Sequence, residues 1–562
     1  MSRRSCLVLL VLVATLVYLN ALRNGFVFDD GLYVLKNDAV TKLSIAQLFQ
    51  VNKYTNVFRP LTFATFALNW IVSGAHPFTF HLVNLLLHAA VTAVFYLLLL
   101  RLLEPSPSTP LIAFVAALLF AVHPLHTEAV ASIVGRSELL AAGLLFGAWI
   151  LHLDDRPILA LACYVLALLS KEPAVVYFPL VVVGDYARRQ FKPLARYGWA
   201  GIVTIVYLAS LWKIQGGRFG PTDISFLDNP LARLPAKLRI LNAFRLAWKY
   251  IGLHFYPGDL SCDYSYNSIL LYSTWRHNLP WVFMALLVIA LWIWTLWVRK
   301  TNWALAGTIY LIGFSVTANV LVPGGTLLGE RLAYVPSAGF CLLISLLWIQ
   351  VEKRYKEVAW GLLIAIVATM SVRTIVRNRD WKDDFGLYSA AVRVVPRSAK
   401  MHADLGAEYM YRNESELARL EFETALRIYP DFPAAKEWYG LLQAAEGHDE
   451  EALRLLREAL SETATGSVNY DFSVVNLAAQ LMKMDRNDEA SVLLDRVIVA
   501  SPDFPRGWAN RAVIHLKRGE IEAARSDAVS ALRMDPNNSQ ALNVLKLLSS
   551  AERREPTRED IK

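Results

Sequence analysis

Residues 1–376 are a succession of apolar segments broken by short polar loops, a pattern whose natural solvent is lipid. From about Trp381 onward the pattern is soluble and helical, with a repeat near 34 residues. That part needs water. The hydrophobic content of 55% and mean hydropathy of +0.36 are therefore averages over two unlike regions. An all-α architecture follows. A membrane domain is expected over 1–380, a linker over 381–396, a tetratricopeptide-like α-solenoid over 397–556 and a disordered tail over 557–562. The net charge of +8 would point to nucleic acid in a soluble chain. Here Lys and Arg cluster beside apolar segments, so the charge reads as topology and excludes nucleic acid as the partner. Cys6, Cys163, Cys262 and Cys341 form no CxxC, and three lie in apolar segments. Neither a disulfide framework nor a Cys-based zinc site is expected.

The start of the chain resembles a signal peptide, but no small-residue cleavage site follows it. A first retained span is therefore expected over 6–22. Further spans are expected near 80–102, 110–123, 128–152, 157–170, 174–184, 199–213, 280–298, 302–321, 337–350 and 357–376. That makes about eleven, several of them shorter than the ~20 residues a straight crossing needs. Arg3 and Arg4, Arg101, Arg156, the Arg188–Arg196 basic run, Arg299 and Lys300, and Lys353–Lys356 fall in alternate short loops. Those loops read as cytoplasmic. The loop near 214–278 is long and contains LPAKLRILNAFRLAWKYIGLHF, spaced like a surface-lying amphipathic helix. The repeats then fall on the periplasmic or lumenal side.

In the repeat region PDFP occurs at Pro430–Pro433 and again at Pro502–Pro505. Ala425, Ala459 and Ala531 stand where paired helices pack closely, and Asn413, Gly447, Asn487 and Gly519 precede the second helix of each unit. About four repeats stack into a short superhelix with a concave face suited to peptides.

Charged residues gather at the ends of spans on one expected face. Asp29 and Asp30 follow the first span, and adjacent carboxylates there suit a general base, a divalent cation or a capped turn. HPLHTEAVASIVGRSE brings His123, His126, Glu128, Arg136 and Glu138 together. The two histidines, three residues apart, fit either a metal with an outer carboxylate or the ordering of a loop. Arg136 and Glu138 sit inside an apolar run, where charges are expensive unless paired or functional. Arg59, Lys171–Glu172 and Glu330–Arg331 complete the set. Cations on one face suit the phosphate of a lipid-linked donor; the alternative is that each pairs with its neighbouring Glu.

FVFDD (Phe26–Asp30), FRPLT (Phe58–Thr62), HLVNLLLH (His81–His88), HPLHTEAVASIVGR (His123–Arg136), SKE (Ser170–Glu172), GERLAYVPS (Gly329–Ser337) and RNRDWKD (Arg377–Asp383) together resemble the transmembrane and tetratricopeptide-repeat-containing O-mannosyltransferases. The repeat count is that of a compact, bacterial-type member, in a bacterial inner membrane or an endoplasmic reticulum. The resemblance implies a GT-C-type membrane fold and an inverting transfer of a sugar, mannose, from a polyprenyl- or dolichyl-phosphate donor to Ser or Thr of a protein. It implies Asp29 and Asp30 as catalytic candidates. Arg59, Arg136, Lys171 and Arg331 would hold the donor phosphate, supported by His123, His126, Glu128, Glu138, Glu172 and Glu330. No metal is required, and a divalent cation is compatible. The rival readings are a membrane-anchored repeat scaffold without chemistry, a lipid-linked sugar carrier, and a GT-C transferase acting on a lipid or glycan.

Overall fold

The computed structural model describes residues 2–52, 57–217, 224–320, 322–463 and 468–552. The tail expected at 557–562 lies outside them. The described residues are helical and irregular, without a strand. They form two compact units, Met1–Ser398 and Ala399 onward.

In the first unit, seven helices among the described residues are long and apolar enough to cross a membrane. They are Arg3–Arg23, Pro77–Leu102, Arg136–Leu153, Leu194–Ile214, Arg276–Trp297, Glu330–Glu352 and Lys356–Asp380. Thr109–Val122 and Pro124–Ala131 make an eighth if counted as one span bent by 54°. The expected count of eleven is thus not matched by eleven long helices. The stretch expected at 128–152 is broken at Ser132–Gly135. Segments expected at 157–170, 174–184 and 302–321 are the short helices Pro157–Ser170, Tyr177–Arg188 and Thr301–Ser315. Pro60–Ser73, a further short apolar helix, was not among the expected spans.

These helices have two distinct sets of ends. At one pole Arg101 pairs with Asp154 at 2.8 Å, and Lys192 and Arg196 both pair with Asp155 at 2.9 and 2.6 Å. The Glu104 amide there donates to the Asn302 side chain at 3.0 Å. Arg188 belongs to the same pole, its Nη2 donating to the Arg101 carbonyl at 3.3 Å. At the opposite pole, here the site pole, the charged motifs named above meet one another.

The region expected as a linker contains the helix Asp384–Val394, and Trp381 is fully buried. This segment builds the floor of the first loop. The Gly25 amide donates to the Lys382 carbonyl at 2.9 Å, and the Phe28 amide donates to Asp384 Oδ1 at 2.7 Å. Phe28 is left-handed at φ 54°, a conformation costly for a bulky residue unless its surroundings hold it.

In the second unit, four helix pairs run from Ala399–Tyr411 with Ser415–Ile428 to Pro505–Lys517 with Ile521–Met534, followed by Ser539–Glu552. Ala418, Ala425, Ala452, Ala459, Ala490, Ala524 and Ala531 are fully buried at the helix contacts. The turns within the pairs use left-handed residues at Asn413, Gly447, Asp485 and Gly519. In the third pair the left-handed residue is Asp485, and Asn487 opens the second helix directly before Asp488 and Glu489.

Candidate functional site

The site pole is assembled from segments far apart in sequence. Asp30 is fully buried in the loop after the first helix. Its Oδ2 accepts from the Val27 amide at 3.1 Å and its Oδ1 from the Val134 amide at 3.0 Å. One carboxylate thereby closes its own turn and docks it on the Ser132–Gly135 break. Burial pushes the Asp30 carboxyl up to about 7, against the opposing pull of the Val27 and Val134 amides. Asp29, its neighbour, is 28% exposed and lies 3.5 Å from Arg331 Nη1. The two aspartates therefore differ in role: Asp30 is walled in, and Asp29 faces outward beside a cation.

Arg331 is anchored from its other side. Its amide donates to Glu128 Oε2 at 2.8 Å and its Nη1 to Glu128 Oε1 at 2.6 Å. Glu128 is buried, whereas the Arg331 side chain keeps 20% exposure. Tyr250 fixes the approach to this residue: its hydroxyl donates to the Gly329 carbonyl at 3.0 Å and accepts from the Gly329 amide at 3.1 Å.

Arg59 forms a forked pair with Glu172, Nε to Oε1 at 3.1 Å and Nη2 to Oε2 at 3.0 Å. Lys171 is buried against Glu138 in a close ion pair. Burial pushes the Tyr33 phenol up, and Arg59, Asp29, Arg331 and Glu172 all lie within electrostatic reach of it. Tyr33 was not among the sequence candidates. Its position four residues after Asp29 in a turn of helix was the available signal. From the Lys171–Glu138 pair a narrow, mostly apolar cleft runs past Leu145, Val176, Gly313 and Val335.

Other candidates are placed differently. Arg136 is fully buried and committed: Nε donates to Asn84 Oδ1 at 2.9 Å, Nη1 to the Thr65 carbonyl at 3.1 Å and Nη2 to the Phe80 carbonyl at 3.0 Å. Its guanidinium also lies over Phe66 at 4.6 Å. It braces the site pole and is not open to a donor phosphate. Glu330 is buried too, accepting from the Ser261 amide at 2.6 Å and the Tyr264 hydroxyl at 2.8 Å, with Arg377 3.9 Å away. His123 pairs with the His254 carbonyl at 3.1 Å, and His126 with Ser337 Oγ at 2.7 Å. Both sit in a buried aromatic cluster with Phe120, Tyr334, Phe340 and His254. Among the described residues no group of three or more His, Cys, Asp or Glu is arranged to hold a metal ion, so the pairing of His123 and His126 with an outer carboxylate as ligands is not formed.

A tetratricopeptide-repeat model matches residues 403–467 and 476–539. Protein O-mannosyl-transferase TMTC3 of Mus musculus is 27% identical over 94% of this chain and 64% of its own length. Protein O-mannosyl-transferase F38B6.6 of Caenorhabditis elegans is 29% identical over 76% of this chain and 63% of its own. The chain's homologues are the transmembrane, tetratricopeptide-repeat-containing O-mannosyltransferases. The alignment to the mouse relative covers 94% of this chain and so takes in both the membrane unit and the repeats. The chain spans a little under two thirds of the length of these curated relatives. Among solved structures, the tetratricopeptide-repeat protein YrrB aligns with a TM-score of 0.25 and 18% identity, over 35% of this chain and 97% of its own.

Proposed function

We propose that the chain is a membrane glycosyltransferase that moves a sugar, mannose, from a polyprenyl- or dolichyl-phosphate to a Ser or Thr hydroxyl of a protein. The O-mannosyltransferase relatives support the sugar and the acceptor class. The observation that carries the chemistry is Arg331, held by buried Glu128 at 2.6 Å and only loosely by half-exposed Asp29 at 3.5 Å. Asp29, Glu128, Glu138 and Glu172 outnumber Arg59, Lys171 and Arg331 in this cluster, so no cation stands idle for a phosphate. An arriving donor phosphate competes for Arg331, and Asp29 is the weaker of its two partners. Binding the donor then frees Asp29 at the moment a base is needed.

In that reaction the acceptor hydroxyl oxygen attacks the sugar's anomeric carbon and its proton passes to Asp29. The carbon–oxygen bond to the lipid phosphate breaks, and the phosphate leaves with the electron pair, stabilised by Arg331. A single displacement inverts the anomeric configuration. Asp30, Arg136, His123, His126 and Glu330 hold the frame, and Arg59–Glu172 and Lys171–Glu138 wall the donor side. No metal enters the scheme.

The gathering of Lys and Arg at the pole opposite the site supports a cytoplasmic location for that pole and a periplasmic or lumenal one for the site. Arg373, Arg377 and Arg379, at the site end of the last span, weigh the other way, and of these only Arg379 is exposed. Arg377 is buried and donates to Asp380 at 3.0 Å, and Arg373 donates to the Gly258 carbonyl at 2.7 Å. The repeats are proposed to recruit the acceptor. The test is transfer by the purified chain from a lipid-phosphate mannose to a Ser/Thr peptide. Asp29→Asn should lower kcat by roughly 10²–10⁴-fold with the thermal midpoint unchanged. Near-normal transfer by this variant removes Asp29 from the mechanism.

A further inference from the structure

A second cationic site lies elsewhere in the membrane unit. The helix Ala236–Phe255 carries Arg245 and Lys249 one turn apart on the wall of a cavity of about 260 Å³. Asp259, Tyr264 and Ser268 are the other polar groups of the lining, and Val395 belongs to its apolar side. The Arg245 guanidinium lies over the Tyr272 ring at 4.5 Å, and its Nη1 is buried without a hydrogen-bond partner. Unlike Arg59, Lys171 and Arg331, neither Arg245 nor Lys249 has a carboxylate partner within ion-pair distance among the described residues. An anion entering here breaks no ion pair of these two cations, although the Asp259 carboxylate shares the lining, and a guanidinium beside an ammonium suits the oxygens of a phosphate.

Two observations identify the source of that phosphate. Trp248, on the same helix, donates to the Trp281 carbonyl at 3.1 Å, and Asn242 is bonded in both directions to the Tyr272 backbone. Trp281 lies in the first turn of Leu279–Trp297, within the span Arg276–Trp297 whose apolar window has no buried residue. The helix that walls the cavity is thus tied to the mouth of a lipid-facing helix, whose start exposed Trp275 directly precedes. Aromatic residues in that position mark the depth of lipid headgroups. We propose that Arg245 and Lys249 bind the phosphate of an anionic membrane lipid headgroup, at a site separate from Asp29 and Arg331. Tyr264 links the two: it lines the cavity and donates to Glu330, the residue before Arg331. The bound lipid would steady the loop that holds Arg331.

The test needs no transfer assay, so it stands apart from the proposed reaction. The full-length chain is placed in phosphatidylcholine nanodiscs with and without phosphatidylglycerol, and bound lipid is read by native mass spectrometry alongside the thermal midpoint. Phosphatidylglycerol should be retained and should raise the midpoint of the parent chain. Lys249→Gln should weaken retention about tenfold and Arg245→Gln/Lys249→Gln should abolish the shift. Lys249 is exposed, so its single variant keeps the test valid if the double variant folds poorly. Equal retention by parent and Lys249→Gln overturns the proposal. An equal midpoint rise with inorganic phosphate alone overturns the lipid source, and binding of an acidic peptide through these residues without a lipid effect overturns it in favour of the acceptor.

Discussion

Two adjacent aspartates show how much one residue's environment decides. Asp29 is half-exposed beside Arg331, and Asp30 is buried between two backbone amides. An aspartate in an unfolded chain titrates near ~3.9. Burial pushes the folded Asp30 carboxyl up to about 7, so between those values the native state holds a proton that the unfolded state has lost. Its contribution is full below the lower value and is lost as pH rises through the higher one. The midpoint difference between Asp30→Asn and the parent should therefore shift in the variant's favour between pH 5 and pH 8, as thermal unfolding in detergent will show. A difference independent of pH would mean that Asp30 is ionised throughout. The sequence could mark the pair but not separate its members, because the separation comes from Val134, 104 residues away. Arg136 illustrates the same limit. Its apolar setting announced that it was paired or functional, but its partners are the carbonyls of Thr65 and Phe80 and the side chain of Asn84. No local pattern encodes carbonyl acceptors. The charged motifs could be marked in the sequence, but not their pairing: Lys171 pairs with Glu138 rather than Glu172, and Arg331 with Glu128 rather than Glu330, across long sequence separations. Tyr33 was not marked, since it carries no charge to notice.

Among elements, helix periodicity gave the apolar segments and the repeats, since both depend on side-chain patterning within one segment. It missed the break at Ser132–Gly135, which depends on a close approach. A Cβ at Gly135 would stand 2.2 Å from the Ala129 carbonyl oxygen. It also missed the helix Asp384–Val394, whose polar face resembles a linker until the first loop is placed against it. Small residues carry the helix contacts of the membrane unit as they do those of the repeats. At Gly339 a Cβ would meet the Ala306 carbonyl oxygen and the Tyr310 amide nitrogen, both at 2.5 Å, so Thr301–Ser315 and Tyr334–Glu352 touch through backbone. Gly361 has nothing within 4 Å of the same position. Gly339→Ala should therefore lose about 1–3 kcal/mol of stability. Gly361→Ala, in a helix interior, should gain up to ~1 kcal/mol. Unfolding of the two variants in detergent checks this; equal effects would show that the contact at Gly339 can spread without cost.

At the scale of the whole molecule, the two compact units divide at Ser398 and Ala399, and the residues proposed for the chemistry belong to the first. Every contact of Asp29, Asp30 and Arg331 described above, and the brace from Asp384, lies before that division. The helix Asp384–Val394 is part of the site's support, so a truncation at residue 380 would remove Trp381 and Asp384 and release Phe28. A truncation before Ala399 leaves all of them in place. That shorter chain should insert, unfold at a midpoint near that of the full chain, and transfer sugar to a short Ser/Thr peptide at an unchanged kcat. It should lose transfer to whole-protein acceptors, because a remote groove raises local acceptor concentration without touching the bond that breaks. Truncation at residue 380 should lose both activities together with stability. If the chain ending at 398 modifies protein acceptors at the full rate, the repeats do not recruit them. If it fails on the short peptide while remaining folded, the repeats contribute to the transfer step itself, and the division of labour between the two units is wrong.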